Sequence, residues 1–216
     1  IDPEYNKTGM ILIPPYEKDA VIEWANLQNL PFKETVFRNS ESIYFPSIAQ
    51  IRSPRLMKAI KLFMEKMEIK IIENMELAEI QDEEGIVRKW PTKNNSSILA
   101  DYFVITSGAW TSNLKENYKS KIYPVRGQMI QYKASNLKIG NILYSNDFYI
   151  LQRKDGVIIA GSTIEEVGFD ETVTIEKKEV LMRKAEALIP TLANIQVENH
   201  WAGFRPGTKE NIPFIQ

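Results

Sequence analysis

Two hydrophobic periods alternate along the chain. Apolar residues at a spacing of two, or in short unbroken runs, mark strands, and a spacing of three to four marks helices. Residues 10–15 read MILIPP, an apolar run ending in a double proline, and EKDAVIEWANLQNL after it has helical spacing. That predicts strand, turn, helix. SPRLMKAIKLFMEKM predicts a second helix, with Ser53 as N-cap, Pro54 at the first helical position, and Leu56, Ile60, Phe63, Met64 and Met67 on one apolar stripe. EIKIIEN, residues 68–74, reads as a strand. LAEIQ, a DEEG turn, IVRKW, a polar PTKNNSS loop and ILADYFVITSG then predict a strand meander that ends in a buried strand at 102–105. After the spacer TSNLKENYKS come four strands, IYPVRGQMIQYK, NILYS, FYILQRK and GVIIAGST, with Asp155-Gly156 as a hairpin signal between the last two. IEKKEVLMRKAEALIP is an amphipathic helix closed by Pro190, and IQVENHWAGF is the last strand.

Strands outnumber helices and the late ones are joined by short turns. The pattern therefore predicts an α+β protein (α/β overall), its larger part an antiparallel sheet covered by helices. There is no internal repeat, and residues 93–97 form the loop rich enough in polar residues to be disordered.

Composition narrows the chemistry. The 216 residues have no cysteine and one histidine, His200, with a formal net charge of −1. Disulfides, thiolate catalysis, Cys-ligated metals and a one-chain Ser-His-Asp triad fall away. No basic field recommends nucleic acid, and no apolar run is long enough for a membrane span. The chain starts at Ile1 without an initiator Met, as a piece of a longer protein would.

Arg205 is the sharpest candidate for chemistry. In HWAGFRPGT, residues 200–208, its guanidinium leaves the end of a strand just before a Pro-Gly pair that reads as a rigid turn. Such an arginine either clamps backbone carbonyls or offers a planar fork to a ligand carboxylate. Tyr149 shares a strand face with Leu151 and Arg153, as a packing aromatic or a ligand contact. The glycine of SGAW, residues 107–110, either makes a turn or lets backbone approach a ligand closely. Arg126 in PVRGQ has the same ambiguity and reads equally as a surface charge. His200 reads as strand-surface decoration, and the acidic stretches DEE at 82–84 and IEEVGFDE at 164–171 read as solvated turns. No GxGxxG, Walker loop or HExxH occurs. From residues alone the reading ends at a small-acid-binding enzyme or domain anchored by Arg205.

Six segments in order carry a resemblance: IDPEYNKTGMILI, the SPRLMKAI helix, ADYFVITSGAWTSNL, YPVRGQMI, FYILQRKDGVIIAGSTIEEVGFD and HWAGFRPGTKENIPFI. Together they resemble the glycine oxidase and D-amino-acid oxidase family of FAD-dependent amine oxidases, most closely its bacterial thiamine-synthesis members. The resemblance implies that Arg205 binds the substrate carboxylate, that Tyr149 lies beside the substrate in the same pocket, and that Ile164 is a wall of it. It further implies that Gly108, Ala109 and Trp110 approach the FAD nucleotide and that Leu77 offers backbone to the adenine.

The implied architecture is a substrate domain at 1–45 and 113–216 around part of an FAD-binding Rossmann-like domain at 46–112. The implied partners are a small amino acid or amine and molecular oxygen, in a cytoplasmic enzyme, with a homo-oligomer left open. Hydride transfer to a flavin needs positioning and a dry site more than a protein acid or base, which a cysteine-free, histidine-poor chain can provide. The family's N-terminal GxGxxG segment and the glycine-rich segment after PFI are missing from this sequence. The expectation is a fragment of the enzyme that by itself neither retains FAD nor turns over, with the apolar stripe of Leu56, Ile60 and Phe63 uncovered. The alternatives are a dehydrogenase or demethylating oxidase of the same family, and a non-catalytic carboxylate-binding subunit.

Overall fold

Strand formation needs a backbone partner as well as an apolar pattern, and the partners decide which runs become sheet. The computed structural model describes residues 1–80, 86–114, 121–209 and 211–213. Its strands are β1 (Met10–Leu12), β2 (Lys33–Phe37), β3 (Ser40–Phe45), β4 (Lys89–Pro91), β5 (Ser97–Leu99), β6 (Tyr123–Lys133), β7 (Ile142–Ser145), β8 (Phe148–Gln152), β9 (Val157–Gly161) and β10 (Val197–Gly207). The helices are α1 (Lys18–Leu27), α2 (Ser53–Lys66) and α3 (Ile175–Leu188), with 3-10 turns at Gly108–Asn113 and Pro190–Asn194. One sheet runs β10-β6-β9-β8-β7-β1-β3-β2, and β4 and β5 pair separately.

Contacts divide the chain into two units. The first comprises Ile1–Ile69, Gln128–Thr163 and Thr172–Ala202. Its pairings are antiparallel, as expected, except that β1 lies parallel to β7, with Ile11 opposite Leu143. The Asp155-Gly156 signal is met by the β8–β9 hairpin, where Gly156 has φ +84 and Gly156 N donates to Arg153 O. Alternation along β1 feeds two cores. Ile11 and Ile13 pack with Ile130, Tyr132, Ile150 and Ile158 under α3, whereas Met10 and Leu12 pack with Ile43 and Phe45 against Ala25 of α1. Thr174 caps α3, its hydroxyl accepting from Lys177 N.

The second unit comprises Lys70–Gly127, Ile164–Glu171 and Gly203–Gln216. Buried Trp90 organises its β4–β5 hairpin, donating to Ala78 O at 2.9 Å and meeting Phe103 edge-on.

Several local expectations give way. Residues 68–74 and 102–105 form no strand, because no described backbone pairs with them, and Tyr102 and Val104 are 89% and 81% exposed. In LAEIQ, Leu77 bridges Thr92, Ala78 N donates to Pro91 O and Ile80 N donates to Leu114 O, but these contacts do not add up to a strand at 77–80. Ser53 is the first residue of α2, not its cap; Arg52 holds that place without a side-chain hydrogen bond. By contrast, the expected exposure of the α2 stripe is met: no residue of α2 is buried, and Ile60 and Phe63 are exposed. The polar loop after β4 is an ordered turn, since the Thr92 hydroxyl accepts from Ser96 N and Lys93 N donates to Glu76 O. His200 is half-buried in β10, with Nε2 lacking a hydrogen-bond partner. Burial, and Lys178 after it, lowers its pKa. The acidic cluster at 82–84 and most of the spacer at 115–120 lie outside the described residues.

Candidate functional site

The second unit holds a cavity of about 570 Å³ built from two segments that the sequence singled out. One is the GAW turn. Ser107 O accepts from Trp110 N, the Ser107 and Thr111 hydroxyls lie 3.0 Å apart, and Ser112 Oγ donates to Ala109 O, which winds Gly108–Asn113 into a 3-10 helix. Gly108 and Thr111 line the cavity. Gly108 has φ +57, and a Cβ built there would meet no atom within 4 Å. The turn therefore needs glycine for its backbone conformation and leaves open space in front of it.

The other segment follows Arg205. β10 does not end there in a turn but continues through Pro206 to Gly207, and Pro206, Gly207 and Thr208 line the cavity. Because β10 is the sheet's edge, a proline without an N–H is tolerated in it. Gly207 is required by close packing, since a Cβ would come within 2.5 Å of Val125 Cγ2. Arg205 is exposed, and strand alternation points it away from the side that Phe204 takes.

The cavity suits part of a flavin nucleotide. Among the described residues its lining includes no charged side chain to repel a phosphate, the hydroxyls of Thr106, Thr111 and Thr208 supply polar contacts, and backbone at Gly108 can be approached without steric obstruction. The other members of the predicted cofactor set are placed differently. Ala109 is buried beneath the turn, Trp110 turns to an aromatic cluster, and Leu77 is half-buried at its bridge to Thr92. Ile164 is exposed in the second unit. Tyr149 belongs to the first unit, on β8 opposite Tyr144 and Gly161, and its hydroxyl donates to Met129 Sδ at 3.7 Å.

Sequence reasoning missed a buried ion cluster. Arg126 is not a surface charge: its side chain is 5% exposed, and Nη2 donates to Glu165 Oε2 at 2.8 Å while Nη1 donates to Asp170 Oδ2 at 2.7 Å. Glu165, placed by its pattern in a solvated turn, is 9% exposed at the side chain. The bond to Glu165 is the main cause that raises the Arg126 pKa. The available signal was a lone arginine inside the apolar strand YPVRGQMI, which burial obliges to find carboxylates. Beside this cluster, Phe169 stacks on Trp110 at 5.6 Å and both rings meet Phe204 edge-on. Among the described residues no helix is long and apolar enough to cross a membrane, and no group of His, Asp and Glu is arranged to hold a metal.

Comparison with known proteins adds the lineage. The chain is 30% identical over 234 residues to a protein named glycine oxidase from Pseudomonas aeruginosa, an alignment covering 100% of the chain and 63% of that protein. It is 28% identical over 177 residues to a protein named bifunctional protein ThiO/ThiG from Synechocystis sp., covering 80% of the chain and 26% of that protein. The crystal structure of glycine oxidase from Geobacillus kaustophilus matches with a TM-score of 0.86 at 21% identity, covering 99% of this chain and 63% of that one, and so shares the fold. The chain thus spans 63% of the length of its Pseudomonas aeruginosa relative. The family model for DAO, FAD dependent oxidoreductase, matches residues 6–216, and with the two segments that meet at the cavity this shows that the chain belongs to the DAO family of FAD dependent oxidoreductases.

Proposed function

We propose that this chain supplies the substrate-binding part of an FAD-dependent oxidase of glycine or another small amine or amino acid, which forms the imine and hydrogen peroxide. In this reading residues 1–45 and 113–216 are the substrate domain and 46–112 part of the FAD domain. Arg205 takes the substrate carboxylate, Tyr149 contacts the substrate, and Ile164 is a wall beside it. The observation that carries the reading is the cavity where the GAW turn meets the strand continuing from Arg205.

When bound, FAD supplies the hydride acceptor and passes the electrons to oxygen. The chain's own residues have the lesser chemical task of binding and orienting. A planar guanidinium fixes a carboxylate by two parallel hydrogen bonds and so aligns the amine-bearing carbon. Gly108, Ala109 and Trp110 would approach the nucleotide and Leu77 would offer backbone to the adenine, with Thr111 and Thr208 at hand in the cavity, whose apolar walls at Ile105 and Ile122 limit water. Since GxGxxG occurs nowhere in the sequence, the backbone donors that normally bind the diphosphate are not supplied by that motif. FAD titrated into the chain alone is therefore expected to bind more weakly than micromolar, with no peroxide from glycine.

The decisive experiment uses the product of the full open reading frame. A desolvated Arg–carboxylate contact is worth on the order of 2 to 5 kcal/mol, so Arg205→Ala should lower kcat/KM by tens to thousands of times. Arg205→Lys should recover part of the loss, because an ammonium lacks the planar fork. Unchanged kinetics in Arg205→Ala would refute the carboxylate role. Amine oxidation without peroxide would assign a dehydrogenase that uses another acceptor.

A further inference from the structure

The Arg126 cluster is unused by the proposed chemistry, yet one side chain there grips both ends of a loop. Nη2 holds Glu165 Oε2 at the loop's start, and Nη1 holds both Asp170 Oδ2 and Asp170 O, at 2.7 and 2.9 Å, near its end. The main chain doubles the first anchor: Arg126 N donates to Glu165 O at 2.9 Å and Glu165 N to Arg126 O at 3.0 Å. Beside the second anchor, the Phe169 ring lies 5.6 Å from Trp110 and 5.4 Å from Phe204, and those two rings meet at 6.1 Å. Trp110 belongs to the turn that carries Gly108, and Phe204 directly precedes Arg205.

The geometry points to Arg126 as a positioning residue: by fixing the 164–171 loop it keeps Phe169 wedged between the GAW turn and the Arg205 strand, and it keeps Ile164, next to Glu165, in place. A rigid guanidinium suits this task, because its fixed fork reaches two separated acceptors at once and a lysine ammonium is a single point. Burial strengthens the grip, since water does not compete for the Glu165 bond. The functional meaning of the device rests on the proposed site, but its physical existence does not.

The test reads the aromatic cluster in the chain itself, without cofactor or substrate. The protein has four tryptophans, so 5-fluorotryptophan labelling gives four 19F NMR signals, assigned by single Trp→Phe variants. In Arg126→Met the Trp110 signal should shift while those of Trp24, Trp90 and Trp201 stay, and Arg126→Lys should give an intermediate position. A Trp110 signal that holds its place in folded Arg126→Met would overturn the proposal, as would equal movement of all four signals, the mark of general loosening. If Arg126→Met does not fold, Asp170→Ala removes the half-exposed carboxylate contact and keeps the carbonyl one; it should move the Trp110 signal in the same direction and less far, and no movement would overturn the proposal. Arg205→Ala kinetics test the site itself, so failure of one reading is distinguishable from failure of the other.

Discussion

Replacing Arg126 by methionine should be among the most costly single substitutions in this protein, and the structure sets the size. The Arg126 and Glu165 side chains are 5% and 9% exposed, whereas Asp170 is 49% exposed. Arg126→Met takes the guanidinium at 2.8 Å away from the buried Glu165 carboxylate, and breaking a buried pair from one side costs about 3 to 5 kcal/mol. The Asp170 pair, half in water, contributes no more than about 1 kcal/mol. Against a typical domain stability of roughly 5 to 15 kcal/mol, the loss should be plain in urea unfolding followed by circular dichroism.

Acid gives the argument a second edge. In Arg126→Met the buried Glu165 carboxyl, deprived of that guanidinium, should bind a proton more readily in the folded protein than in the unfolded chain. Its contribution is then favourable at low pH and lost as pH rises. The deficit should therefore be smaller at pH 5 than at pH 7.5. Replacing both partners, Arg126→Met with Glu165→Leu, should recover much of the loss, because the buried carboxylate is removed along with the guanidinium. A deficit below about 1 kcal/mol, or one that does not change between these pH values, would refute the reasoning.

Two further predictions concern unsatisfied polar groups in the first unit. Tyr132 is fully buried, its hydroxyl has no hydrogen-bond partner among the described residues, and burial pushes its pKa up to about 12; Tyr132→Phe should therefore raise Tm, by up to about 1 kcal/mol of stability, and a lower Tm would show that the hydroxyl is satisfied. Burial lowers the His200 pKa, so the unfolded chain binds the proton more readily and stability should fall as pH drops through the unfolded value of about 6.5. His200→Gln should flatten that decline in a Tm series from pH 8 to pH 5, and an unchanged slope would remove His200 as its cause.

Local chemistry made much of this fold legible in the sequence. β1 followed by α1, the β8–β9 hairpin at Asp155-Gly156, and α3 ending before Pro190 follow from periodicity and turn residues, which act over a few neighbouring positions. The order of the six resembling segments likewise points to the family that the family model matches over residues 6–216. The β2–β3 hairpin was missed, although Arg38 and Asn39, both at positive φ, make its turn and an asparagine there was a usable cue.

What the sequence left open required distant partners. EIKIIEN and YFVI have the composition of strands and are not strands, because sheet depends on a second backbone that no local pattern specifies. Pro206-Gly207 reads as a turn and is strand, because its place on the sheet's edge removes the need for a proline N–H while Val125 leaves room only for glycine. Arg126 and Glu165 each look like ordinary surface charges, and only the fold brings them within 2.8 Å in a buried site, where each charge compensates the other. Short-range rules thus determined the helices and tight turns, and tertiary structure decided which charges are buried and which glycine faces an open cavity, since burial belongs to the assembled chain and not to any one segment.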